Sequence, residues 1–155
     1  MFARIVYPTD FSGPSGKAID YIRRLRDAGA REVVIVHVLD RREITELATA
    51  GPILLGSAPE AETEAQAQMR EEIERRIREV RRAVERAGLK TKVRLPIGAP
   101  DQEILRIARE EEASLIVIGS HGKSNLRSAL LGSVSASVIR NARQPVLVVK
   151  RDRSG

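Results

Sequence analysis

Leu115-Ile116-Val117-Ile118-Gly119-Ser120-His121-Gly122 is an apolar run of four residues ending in a glycine, with a second glycine three positions on and, nine residues later, Gly132-Ser133. An unbroken aliphatic run with no polar alternation reads as a strand buried on both faces, as in a parallel sheet. Glycines where that strand ends let the main chain take positive φ and approach an anion closely. A glycine beside a hydroxyl at a predicted helix start adds amide donors and the positive end of a helix dipole. Together they make a main-chain cradle for phosphate, with Ser133 able to cap the helix or bond the phosphate, and Ser135 on the first turn as a secondary candidate.

Working outward from this stretch, the chain alternates strand and helix. Ala3 to Tyr7 reads as the first strand, and Pro8-Thr9-Asp10 closes it. Ser15 is the predicted N-cap of a helix carrying Ala18, Ile19, Ile22 and Leu25 on one face, and Gly29 stops that helix. Glu32 to Leu39 has the continuously apolar centre Val33-Val34-Ile35-Val36. A long helix is predicted from Glu60 to Ala87, with Met69, Ile73, Ile77, Val80 and Val84 at helical spacing and Gly88 after it. Val93 to Ile97 is the third strand and Leu115 to Ile118 the fourth. A helix opened by Pro100 lies between them, then Val134 to Asn141 is a helix and Val146 to Val149 the fifth strand. The segment 41–59 fits no single element, because Gly51-Pro52 and Gly56 interrupt it, and is expected to be a mobile insertion.

This order predicts a single domain over residues 1–155, with an open five-stranded parallel sheet, helices on both faces and right-handed crossovers, Rossmann-like in architecture. Ligands in such folds bind beyond the carboxyl ends of the strands where strand order reverses. If the first and fourth strands are neighbours there, Pro8-Thr9-Asp10 and the glycine cradle line one crevice.

Composition excludes several chemistries. With no cysteine, the chain has no disulfide framework, thiol nucleophile or thiolate metal site, and only His37 and His121 offer imidazole. Two Phe, two Tyr and no Trp leave few platforms for stacking single-stranded nucleic acid. The net charge of +6 is mostly interleaved with acids, as in residues 70–82, the pattern of a solvated helix face; this argues against a nucleic-acid partner. No apolar stretch approaches the roughly 18 residues of a membrane span, and a cytoplasmic location is expected. Gly122-Lys123-Ser124 is not a Walker loop, which would need glycine at Val117, and Gly13-Pro14-Ser15-Gly16 lacks dinucleotide spacing. Asp10 has two readings, acceptor for ribose hydroxyls or a metal-bound water, and cap of the following helix. Lys123 is a phosphate cation or a solvated loop lysine, His121 a phosphate donor or a loop residue, and His37 a hydrogen-bonded structural residue. No Ser-His-Asp order or carboxylate pair suggests nucleophilic or glycosidic catalysis.

Pro8-Thr9-Asp10-Phe11-Ser12, His37-Val38, Gly119 to Ser124, Leu131 to Val134 and Pro145 to Val149 together resemble the universal stress proteins, and the spacing G-x-x-G, nine residues, G-S resembles their ATP-binding branch. The resemblance implies the fold of the adenine nucleotide alpha hydrolases, with strand order 3-2-1-4-5. It also implies ATP as ligand, with Mg²⁺ or Mn²⁺ at the phosphates. The Val38 main chain would recognise adenine, Pro8, Thr9 and Asp10 would line the adenosine pocket, and Gly119, Gly122, Lys123, Gly132 and Ser133 would hold phosphates. The contact segments would be Ile118, Gly119, Ser120, His121, Gly122, Lys123 and Ser124, then Gly132, Ser133 and Val134. A homodimer through Val146 to Val149 is implied too, and an uncovered apolar edge there gives it a physical reason. The function expected is a nucleotide-dependent regulatory or stress-response module; the alternative is a slow metal-dependent ATPase or phosphotransferase using Lys123, His121 and a metal near Asp10.

Overall fold

A computed structural model describes residues 1–41, 64–121 and 131–150. In chain order the elements are β1 (Arg4–Pro8), α1 (Gly13–Leu25), β2 (Glu32–Val36), β3 (Leu39–Asp40), α2 (Glu64–Glu85), β4 (Lys90–Arg94), β5 (Ile97–Gly98), α3 (Pro100–Glu110), β6 (Leu115–Gly119), α4 (Ser133–Asn141) and β7 (Val146–Val149). Five strands form one parallel sheet in the order β4-β2-β1-β6-β7, which is 3-2-1-4-5 when those five are counted along the chain. The order reverses between β1 and β6, and their carboxyl ends therefore flank the crevice predicted for a ligand.

Both faces of the sheet are covered, which is why its central strands are apolar without alternation. Ile5, Tyr7, Val33, Ile35 and Val117 pack with Ala18, Ile22 and Val84 of α1 and α2. Their strand neighbours Val6, Val34, Val36, Ile116 and Ile118 pack instead with Ile104, Ile107 and Val138 of α3 and α4. Each of these side chains is almost fully buried, and truncating any one of the isoleucines to alanine would cost about 2–5 kcal/mol.

Three elements differ from the sequence reading by more than two residues at a boundary. Glu32 to Leu39 is not one strand: β2 ends at Val36, and Leu39–Asp40 pairs with Ile97–Gly98 in a separate two-stranded sheet. Pro96 has no amide with which to continue the main ladder, though its carbonyl still accepts the Leu39 N–H at 2.8 Å. The third strand runs from Lys90 to Arg94 and not from Val93 to Ile97. It is an edge strand whose charged residues Lys92 and Arg94 pair with Glu111 and Glu110 at the end of α3, so its apolar signature is thin. Finally, Ser12 and not Ser15 occupies the N-cap position of α1, and its side chain makes no capping bond. Ser15 sits inside the helix, buried, with its hydroxyl directed at Thr9. Gly29 and Gly88, with φ of 101° and 80°, take the left-handed conformation expected after α1 and α2. Residues 60–63 of the predicted long helix, and the predicted insertion beyond Arg41, lie outside the described residues. Among the described residues no helix is long and apolar enough to cross a membrane.

Candidate functional site

At the switch point between β1 and β6 lies a cavity of about 230 Å³. One wall is Pro8, Thr9 and Asp10 at the end of β1, continued by His37 and Val38 beyond β2; the opposite wall is Ile118, Gly119 and His121 with Gly132 to Ser135 at the start of α4. Pro100 and Ile104 of α3 close one side, and Asp40 reaches the rim. Sequence reading placed Ile104 only in the core and did not single out Asp40. Their signal was positional, since both follow the carboxyl end of a strand. Gly122, Lys123 and Ser124 lie outside the described residues.

The turn after β1 is held by a chain of buried hydrogen bonds. Thr9 donates its N–H to the Val36 carbonyl at 2.8 Å, tying the turn to β2. Its Oγ1 accepts the Phe11 N–H at 3.0 Å and the Ser15 hydroxyl, and Tyr7 donates its own hydroxyl to the Ser15 carbonyl. Burial pushes the Tyr7 phenol up from its ordinary pKa, against the hydrogen bonds from Ser15 and Thr9. The Thr9 carbonyl accepts from His37 Nδ1 at 2.8 Å; because a carbonyl has no proton to give, that nitrogen carries the hydrogen. These bonds place Phe11 at φ 64°, costly for a residue with a Cβ, and set its ring 4.5 Å from the His37 ring. Asp10, between them, accepts the Ser12 N–H on Oδ1 at 2.9 Å. That bond shapes the turn ahead of the N-cap position at Ser12, and Oδ2 makes no hydrogen bond among the described residues.

Val38 owes its position to the strand it leaves. The amides on either side, of His37 and Leu39, donate to the carbonyls of Arg94 and Pro96 at 3.1 and 2.8 Å. Since successive residues of an extended chain point their polar groups to opposite edges, the Val38 N–H and C=O are turned away from β4 and toward the cavity it lines.

The cradle differs in detail from the sequence reading. Gly119 does not take positive φ: it is the last residue of β6, paired with Val149, and among the described residues only Gly29, Gly88 and Gly98 are glycines with φ above zero. Gly132 is the N-cap of α4, and its amide is not free, because it donates to the Ser120 carbonyl at 2.7 Å. A Cβ built on Gly132 would meet that carbonyl at 3.4 Å, an ordinary contact, so neither its φ of −70° nor the protein around it demands glycine. The Ser135 hydroxyl is also no phosphate donor. Its one hydroxyl proton is directed to the carbonyls of Ser120, at 2.8 Å, and Gly132, at 3.0 Å. Among the described residues, the groups left to an anion are the amides of Ser133, Val134 and Ser135, in the first turn of a nine-residue helix. Ser120 lies beneath the cavity, 1% exposed, with its Oγ 3.0 Å from His121 Nδ1. Among the described residues no group of three or more His, Asp or Glu side chains could hold a metal ion by itself.

The family model described as the universal stress protein family matches residues 1–150. Universal stress protein MJ0577 of Methanocaldococcus jannaschii is 38% identical, the alignment covering 99% of this chain and 98% of that protein. The solved structure of MJ0577 superposes with a TM-score of 0.84 at 36% identity over 99% of each chain. Two more distant structures share the fold: a universal stress protein in complex with cAMP (24% identity, TM-score 0.62, 96% of this chain and 97% of that one) and one from Archaeoglobus fulgidus in complex with dAMP (19%, 0.62, 97% and 98%).

Proposed function

The chain belongs to the universal stress protein family, and from that premise we propose that it is an ATP-binding regulatory module. One observation carries the reading. The first turn of α4, Val38, and Asp10, whose Oδ2 makes no hydrogen bond among the described residues, line the same cavity. The first suits phosphate, through both amide donors and the helix dipole, each such charge interaction being worth about 0.3–1 kcal/mol. Asp10 suits ribose hydroxyls, and a main-chain donor and acceptor at Val38 suit the edge of adenine. Structures that share the fold hold cAMP and dAMP, ligands that both carry adenine on a phosphorylated sugar. Of the residues expected to hold phosphates, Gly119, Gly132 and Ser133 line the cavity, Gly132 without an amide to donate. Mg²⁺ or Mn²⁺, where bound, would be held chiefly through phosphate oxygens, which supply the ligands the described side chains lack. β7 is an edge strand whose Val146, Leu147 and Val148 are only half-buried, and pairing of two copies along it would give the homodimer that nucleotide binding regulates.

Calorimetric titration of the pure protein with ATP, with and without Mg²⁺, tests the reading. Saturable binding is expected, with adenosine weaker than ATP. An absence of saturable ATP heat under both conditions overturns it.

A further inference from the structure

We propose that Ser135 is a positioning residue for the phosphate end of the cavity, an inference that rests on the nucleotide reading of the same site. β6 delivers the chain to Ser120, whose own amide is fixed to the Val149 carbonyl of β7 at 2.8 Å. The chain returns at Gly132, where two hydrogen bonds clip its two ends together and a third lies within the returning turn. The Gly132 N–H and the Ser135 hydroxyl both reach the Ser120 carbonyl, and the same hydroxyl also reaches the Gly132 carbonyl. That last carbonyl already accepts the first helical bond of α4, from the Ala136 N–H at 2.9 Å. One buried hydroxyl, on a residue 3% exposed, thus ties the strand end to the N-cap and to the helix start.

The consequence falls on the amides of Ser133, Val134 and Ser135. Their directions follow from the tilt of the first turn of α4, and among the described residues the Ser135 hydroxyl is the side chain that bonds that turn to Ser120 at the end of β6. Charge-assisted bonds weaken steeply with misalignment, so the hydroxyl is felt where phosphate binds although it gives phosphate no proton. Its loss does not orphan a carbonyl. Ser120 O keeps the Gly132 N–H and Gly132 O keeps the Ala136 N–H, so Ser135→Ala is expected to fold. The adenosine side, carried by Asp10 and Val38, shares none of these bonds.

The test compares ATP and adenosine affinities, by titration calorimetry, in the wild type, Ser135→Ala and Ser135→Thr, with a thermal melt of each. Ser135→Ala should weaken ATP about tenfold, the effect of one lost hydrogen bond, while adenosine changes less than about twofold. Ser135→Thr, which keeps the hydroxyl, should restore ATP affinity to within about threefold of wild type. Equal weakening of both ligands by Ser135→Ala, or unchanged ATP affinity, overturns the positioning role while leaving the nucleotide reading intact. A wild type that binds no ATP overturns both.

Discussion

Replacing Thr9 by Val probes how the turn after β1 is held, because the change conserves shape and removes one oxygen. In the folded protein that oxygen accepts two hydrogens, from the Phe11 amide at 3.0 Å and from the Ser15 hydroxyl. The Ser15 hydroxyl has a second partner within reach, the Tyr7 hydroxyl at 3.2 Å, and can turn to it. The Phe11 amide has no such relief, and a partly buried amide left without an acceptor costs about 1–3 kcal/mol. The same bond holds Phe11 at φ 64°, a conformation that costs roughly 1–2 kcal/mol for a residue with a side chain. Once the bond is lost Phe11 is expected to leave that conformation and carry its ring off His37. A total near 2 kcal/mol follows, which for a chain of this length is a drop of about 4–8 °C in melting temperature. The assay is a thermal or urea melt of Thr9→Val in the wild-type and Phe11→Gly backgrounds. Glycine at position 11 has no strain to release when the bond is lost, so the cost of Thr9→Val should be larger there by about 1 kcal/mol. A shift below about 1 °C in the wild-type background, or an identical cost in both backgrounds, refutes the reasoning.

Gly132→Ala should melt within about 3 °C of wild type, since the added Cβ meets its neighbours at ordinary contact distances. Gly132→Val, with two further methyl groups at the phosphate end, should lower ATP affinity at least about tenfold; wild-type affinity in a titration would remove Gly132 from the cradle. Glu111 is buried, and hydrogen bonding from Lys92, then Arg94, holds its carboxyl below the ordinary value of 4.5. A lowered carboxyl contributes stability above its unfolded value, and that stability is lost as pH falls from 4.5 through the folded value. Melting curves recorded across that window should fall less steeply for Glu111→Gln than for wild type, and parallel acid limbs would contradict this.

Much of the architecture was legible because it is local. Val33 to Val36 and Leu115 to Ile118 declare two doubly covered strands by having no polar alternation, and Gly29 and Gly88 mark helix ends by the left-handed conformation only they take cheaply. β4 was misplaced because its solvent-facing edge carries charge where a central strand carries valine. The short β3–β5 pairing was not foreseen because two residues have no periodicity.

By itself the sequence determined the alternation of elements, hence a parallel sheet with a switch point, and it brought attention to Pro8-Thr9-Asp10 and to the spacing from Gly119 to Gly132. Only the tertiary structure decided which groups at that switch point are available to a ligand. Gly132 and Ser135 look like phosphate donors in one dimension, yet both spend their hydrogens on the carbonyl of Ser120, 12 and 15 positions away along the chain. Ser15 looks like a helix cap, yet it serves Thr9 across the β1 turn. The reason is physical: a hydrogen-bonding group's identity is written in its residue type, but its partner is set by which distant backbone the fold brings within 3 Å.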